Sequence, residues 1–387
     1  MANYQMEKSH TIREIEQQPA LWMKAIKQFS AEKLAMDTFL KNIENKHARV
    51  RVIFTGAGTS AFIGETIYPY VRCEIRNRGW EAECISTTNL TAAPYSYLDA
   101  DVPTVIVSFA RSGNSPESIA AVELAEKLVK DFYEITITCN SGGALAKRER
   151  EPEEQLVLLL PDEANDKGLA MTSSYSTMML SALYLFAENK ATFEQVVGKI
   201  AHAGDEMLKR SKEIIPRLVQ EKISKLVYLG SGVFEGLARE SSLKFLELTG
   251  GKFPTMYDTP LGFRHGPKSI LDQETMVVVF LSNDTYTRKY DLDMLKELFV
   301  EKNRGPLVAI SENVDPEVAE YSDTHIEISS SENLNDMYLA FPYVIFAQSF
   351  AFEKSLHSGI SPDNPSPDGI INRVVQGVQI YPYGEEK

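Results

Sequence analysis

A chain of 387 residues, 43% of them apolar and 24% charged, can build two globular domains, each with its own core. A net charge of −14 excludes a broad electrostatic grip on nucleic acid or anionic lipid, so an anionic ligand must be held by local donors. Three cysteines (Cys73, Cys84 and Cys139) without CxxC spacing exclude a disulfide frame and read as reduced thiols of a cytoplasmic protein.

The opening "MANYQMEKSH" lacks the apolar stretch of a secretion signal, and residues 1–44 are expected to form a helical arm. No apolar run reaches the roughly 18 residues of a membrane span, so no membrane partner is expected. The six histidines show neither HxH nor HExxH spacing, so no metal site is expected.

Beyond the arm, "RVRVIFTGAGTSAFIGETIYPYVR" opens as a β-branched strand, turns on Gly56 and Gly58 and continues in helix-compatible residues. "SKLVYLGSGVFEGLARESSLKFLEL" follows the same plan around Gly230 and Gly232. Ser108, closing the strand "TVIV", stands as far from Gly56 as Ser282, behind "MVVVFL", stands from Gly230. "YEITITCN" and "PLVAISEN" come next, then "QLVLLLP" and "HIEIS". Each half finishes with a long apolar helix, "SSYSTMMLSALYLFAE" and "MYLAFPYVIFAQSFAFEKS". Matched elements in one order point to an internal repeat. Continuous apolar strands alternating with helices predict parallel sheets covered on both faces. The expected fold is α/β, with two tandem doubly wound domains over 45–195 and 215–355 and a linker helix over 196–214. Residues 356–387 are expected to form an irregular tail ending in a strand-like run.

Ligands of open α/β sheets sit beyond the carboxyl ends of the strands. In the first half "GAGTS" offers close backbone approach and the Thr59 and Ser60 hydroxyls. "ARSGNS" offers Arg111, Ser112 and Ser115, ahead of a helix that Pro116 starts. Helix-start N–H groups, the helix dipole and several hydroxyls suit a phosphate; taken alone, Ser115 reads equally as an N-cap. A dinucleotide is not expected, because Ala61 and Glu235 stand where the third glycine of GxGxxG belongs. The second half has "FLSNDTYT" in place of "SFARSGNS", without serines flanking a glycine, so phosphate is assigned to the first half alone.

The second half's helix sets Glu240, Lys244 and Glu247 at i, i+4 and i+7 along one face. Such a stripe is usually a solvated ion-pair ladder, but this helix rises from a glycine-rich loop at the ligand edge. The segment "GGKFPTMYDTPLGFRHGPKSIL" that follows has neither helical nor strand period, and it sets His265 between an arginine and a turn. These four side chains are the candidates for moving a proton.

The "GAGTS" and "RSGNS" loops with "LKFLE" and "FRHGP" resemble those of sugar isomerase (SIS) domain proteins, and the two-domain plan resembles the isomerase half of glucosamine-6-phosphate synthase. "TIREIEQQPALW", "SFARSGNSPES" and "SPDNPSPDGIINRVVQGVQIY" are similar to the tagatose-6-phosphate ketose/aldose isomerases, also described as galactosamine-6-phosphate deaminase/isomerases, over nearly the whole chain. The resemblance places Ser60, Arg111, Ser112 and Ser115 on phosphate-binding positions and Thr172 near the sugar-contacting loop. It gives Glu247 the proton transfer between C1 and C2, with Lys244 and Glu240 as polar neighbours. It makes His265 the ring-opening histidine, which in the synthase reaches in from a neighbouring subunit, and so implies a homodimer with a shared site. It implies no cofactor. Ala110 stands where the synthase has a phosphate-binding serine, and Gln376 where its site-closing tail carries a lysine.

The resemblance implies a phosphorylated hexose or hexosamine substrate. Too few residues precede the first sheet for an amidotransferase domain, so the reaction is expected to release ammonia: galactosamine 6-phosphate to tagatose 6-phosphate. Ketose/aldose isomerisation without deamination is the alternative reading. A phosphosugar sensor that binds without turnover is the other, and the short mixed-charge arm offers it no DNA-binding helix.

Overall fold

The computed structural model describes residues 9–328, 332–375 and 377–384. Two helices, α1 (His10–Glu16) and α2 (Gln18–Lys46), precede the first strand. The first sheet is built from β1 (Val50–Thr55), β2 (Trp80–Cys84), β3 (Thr104–Ala110), β4 (Phe132–Thr138) and β5 (Gln155–Leu159). Its order is β2-β1-β3-β4-β5 and every pairing is parallel. Helices α3 (Thr59–Ile75), α4 (Thr87–Ala92), α5 (Pro116–Leu128) and α6 (Ser173–Phe186) belong with it. Helix α7 (Lys190–Leu218) contains the expected linker 196–214.

The second sheet comprises β6 (Lys225–Gly230), β7 (Thr255–Asp258), β8 (Thr275–Phe280), β9 (Leu307–Ser311) and β10 (Thr324–Glu327). Its order, β7-β6-β8-β9-β10, repeats the first and is again all parallel. Its helices are α8 (Val233–Leu248), α9 (Pro260–Phe263), α10 (Thr287–Val300), α11 (Pro316–Glu320) and α12 (Asp336–His357).

Central strands β3, β4, β8 and β9 are buried at every residue, which explains the mostly apolar text of β3, β8 and β9, whereas β4 also buries Glu134, Thr136 and Thr138. The edges read differently. In β2, "WEAEC" turns glutamates outward, and β7, "TMYD", is half-buried throughout. Strand β7 lies inside the segment whose sequence shows no period.

The chain forms two compact units. A leading unit holds residues 21–165, 173–195 and the tail from Gly369; a trailing unit holds the described residues up to Ala20, then 166–172 and 196–368. The arm therefore divides within α2, and the tail divides after Asp368. In the leading unit α6 is buried at every position, and buried Trp22 donates its Nε1 proton to Ser176 Oγ at 2.9 Å. Phe54 stacks on Phe109 at 6.0 Å and meets Phe186 edge-on at 5.7 Å. In the trailing unit Tyr343 of α12 packs on Phe280 and Phe234, at 5.6 and 5.1 Å. Each fully buried ring of this kind contributes about 1.5–3 kcal/mol.

The tail's run behind Gly377 does not form a strand. It pairs with neither sheet and is tied down by side chains, as where Lys127 Nζ donates to the Tyr383 carbonyl at 3.0 Å. Among the described residues no helix is long and apolar enough to cross a membrane, and no three His, Cys, Asp or Glu side chains gather as a metal site would.

Candidate functional site

In each sheet the strand order reverses between the first strand and the third, and that switch point is where open α/β sheets bind ligands. The leading switch point lies between the loops after β1 and β3. Gly58, with φ 57° and ψ −130°, turns the chain into α3. A Cβ on Gly56 would meet the Ser60 backbone at 2.5 Å, so the loop folds tightly onto the helix start that carries Thr59 and Ser60.

Behind β3, Arg111 is buried and donates through Nη2 to the Arg373 carbonyl of the tail at 3.2 Å. Ser112 Oγ accepts from Asn114 N at 3.3 Å. The turn is braced from the loop after β4: Asn140 Nδ2 donates to the Ser112 carbonyl at 2.8 Å, and Ala144 N to Asn114 Oδ1 at 2.9 Å. Ser115 is the N-cap of α5 but does not cap it; its hydroxyl donates to Ser118 Oγ at 2.7 Å. Beneath these loops Thr55 and Ser108 are register partners. Their buried hydroxyls find no hydrogen-bond partner among the described residues.

The trailing switch point has the same backbone and opposite chemistry. Gly232 takes φ 61° and ψ −123°, and a Cβ on Gly230 would meet Phe234 at 2.4 Å. Gly56 thus corresponds to Gly230, Thr59 to Val233 and Ser60 to Phe234. Strand register carries the match onward: Thr55 pairs with Ser108 as Leu229 pairs with Val279. Ser108 therefore corresponds to Val279 and not to Ser282, because the trailing segment between these strands is three residues shorter than the leading one. Ser282 stands in the place of Arg111, and Tyr286, the residue before α10, in the place of Ser115.

Carboxylates fill that second switch point. Asp291 of α10, fully buried, accepts from Ser231 Oγ at 2.6 Å and from Ser282 N at 3.0 Å. Burial pushes its carboxyl up to about 6, against those two bonds. Asp336 accepts from Ser282 Oγ at 2.5 Å and from Asn283 N at 2.7 Å. Asp284 accepts from Thr287 N at 2.8 Å, setting an anion at the start of α10. The sequence reading missed these acids; matching the glycines of the two halves residue by residue exposes the loss of Thr59 and Ser60 and points to them.

On α8 the ladder forms as expected and is not solvated. Lys244 and Glu240 are buried, with Lys244 Nζ 3.3 Å from Glu240 Oε1 and 2.9 Å from Glu247 Oε2. Burial pulls the ammonium down, but the two carboxylates outweigh it and hold Lys244 above its ordinary value. Glu247 alone keeps partial exposure, its side chain 23% accessible. The buried cation thus fixes the orientation of one accessible carboxylate, which is what a general base requires.

His265 is exposed and its ring bonds to no described residue. Its turn is nonetheless held: Arg264 pairs with Asp293 and Glu297 of α10 at 2.7 Å each, and Lys268 with Glu297 at 2.6 Å. His265 does not join the α8 ladder. Thr172 is fully buried, donating from N and Oγ1 to Asp166 at 3.0 and 2.9 Å. Gln376 lies outside the described residues.

The SIS domain family model matches residues 46–188 and 218–358. The chain is 43% identical to an Escherichia coli protein named D-galactosamine-6-phosphate deaminase AgaS, over 96% of both chains. It is 40% identical to a Shewanella protein (strain ANA-3) of the same name, over 96% of this chain and 92% of the other. A solved Escherichia coli structure described as tagatose-6-phosphate ketose/aldose isomerase superposes with a TM-score of 0.89, at 40% identity over 98% of both chains.

Proposed function

The chain belongs to the SIS domain family, and from that premise we propose that it converts galactosamine 6-phosphate and water to tagatose 6-phosphate and ammonia. The observation that carries this reading is the buried Glu240–Lys244–Glu247 ladder, which leaves one oriented carboxylate accessible. A sensor needs no such group. Full-length likeness at 40–43% to proteins named galactosamine-6-phosphate deaminases supports the substrate.

In this reading the loops of residues 45–195 bind the phosphate, with Ser60, Arg111, Ser112 and Ser115 as donors and Thr59 beside them. Arg111 supplies the local positive charge that the net charge of −14 denies. His265 transfers the proton that opens the pyranose ring. Glu247 then takes the C2 proton of the open aldehyde and returns it to C1, leaving an imine at C2. Water adds to that imine, and ammonia leaves as the C2 ketone forms. Residues 215–355 thus carry the chemistry, Thr172 lies at the sugar and the tail covers the phosphate loops. An exposed His265 on a rigid turn suits delivery to a partner copy, so the working form is a cytoplasmic homodimer.

Isomerisation without deamination uses the same proton transfer, and the likeness to a solved tagatose-6-phosphate ketose/aldose isomerase favours it as the second reading. Ammonia release from galactosamine 6-phosphate, with glucosamine 6-phosphate and tagatose 6-phosphate run in parallel, separates the two. Ammonia together with tagatose 6-phosphate is the expected result. Aldose–ketose exchange without ammonia establishes the second reading, and binding without turnover overturns both.

A further inference from the structure

The trailing switch point keeps the frame of an anion cradle while filling it from within. Its Gly232, at φ 61° and ψ −123°, closely matches Gly58 of the leading loop, at φ 57° and ψ −130°, yet Val233 and Phe234 replace the hydroxyls that would meet a ligand. The remaining donors, Ser231 Oγ and Ser282 N, come from the loops after β6 and β8, and both converge on the Asp291 carboxylate. Arg288, one turn earlier on α10, donates to the Ser282 carbonyl at 3.0 Å and holds that loop from its other side. Ser231 immediately precedes the loop glycine from which α8 starts.

We propose that Asp291 is a positioning residue, a built-in anion that ties the start of α8 to the loop after β8 and so fixes where that helix presents Glu247. It touches no substrate. A helix moves as a rod, so slack at Ser231 is transmitted along α8 to its Glu240, Lys244 and Glu247 face, and small displacements of a base are costly to proton transfer. The inference rests on the reading of Glu247 as the base, but the anion site itself is measurable without turnover.

The test is Asp291→Ala assayed with and without sodium formate, using sodium chloride at equal ionic strength as control. Formate supplies the missing carboxylate to the space the variant opens. The expected result is a loss of about tenfold in kcat with KM held within about twofold, as for a lost hydrogen-bonded charge, and recovery on adding formate. Asp291→Asn fills the same space with an amide, and is expected to lose kcat at constant KM without responding to formate. Wild-type kcat in either variant, or a loss in the alanine variant that formate does not restore, overturns the proposal. Where the alanine variant does not fold, the asparagine variant decides. Thermal melting of the alanine variant with formate reads occupancy of the anion site without turnover, so a wild-type protein that releases no ammonia fails the functional reading, whereas an alanine variant that formate does not stabilise fails the anion site.

Discussion

Ser60 and Phe234 occupy matching places in the first turn of two helices, each entered from a glycine of nearly the same backbone conformation. One residue is a hydroxyl at the edge of a loop rich in donors. The other is a ring packed between Phe280 and Tyr343. The same contrast runs through the two switch points: Thr55 and Ser108 against Leu229 and Val279, Arg111 against Ser282, Ser115 against Tyr286. One fold with one loop geometry thus carries hydroxyls and a guanidinium at one switch point and buried acids at the other, and side chains alone make the difference. The trailing unit carries its buried Glu240–Lys244–Glu247 ladder about two to four turns further along α8.

The hardest test of that division is Glu247→Gln, which keeps shape and removes the base. Turnover is expected to fall about a thousandfold while KM stays within a few-fold, because general-base catalysis contributes about 10²–10⁴. Steady-state ammonia release checks it, and undiminished turnover removes Glu247 from the mechanism. Next in size is the exchange of the matched pair. Phe234→Ser leaves a cavity under Phe280 and Tyr343 and is expected to cost about 3 kcal/mol, read by denaturant unfolding. Ser60→Phe brings the trailing residue into the leading loop and is expected to abolish inhibition by inorganic phosphate. If phosphate competes equally well with that variant, the leading loop is not the phosphate site. A smaller effect is expected from Ser112→Ala, about a tenfold rise in KM with kcat nearly unchanged, as one hydrogen bond to a charged ligand is lost.

The sequence makes central strands legible where burial on both faces demands the apolar runs of "TVIV" and "MVVVFL", while "YEITITCN" is legible by its β-branched residues although it buries Glu134, Thr136 and Thr138. Strands β2 and β7 stay hidden because an edge needs only one covered face, and "WEAEC" and "TMYD" are half polar. The tail misleads in the other direction: "VQIYPY" has strand composition, yet a strand requires a partner and none is offered. The α8 ladder is legible as spacing, but its burial is not, since a solvated stripe and an enclosed one share the same letters. Asp291 and Asp336 are the deepest omission. Each acts on a loop that chain topology, not sequence distance, brings to it. Equal intervals in the two halves also suggested that Ser108 matches Ser282, and only the strand ladder shows the three-residue offset.

The smallest expected effect concerns acids that neither reading uses in catalysis. Glu14 of α1 is buried and accepts from Lys167 N at 2.5 Å and from Gly168 N at 3.3 Å, next to Asp166, which holds Thr172. Burial first, then the charge of Asp166, with a smaller push from Asp363, raises its carboxyl from 4.5 to about 7, outweighing the two backbone bonds. A carboxyl whose folded value lies above its unfolded one favours the folded state while protonated. Its stabilisation is therefore complete below about 4.5 and is lost as pH rises through about 7. Asp291, raised to about 6, adds to the same slope. Tm is accordingly expected to fall by a few degrees between pH 5 and pH 8. Glu14→Gln retains an acceptor for the backbone N–H groups without the charge, so it should flatten that decline and melt above the wild type at the alkaline end. A parallel decline in both proteins would place the titration elsewhere and leave the segment from Asp166 to Thr172 indifferent to pH.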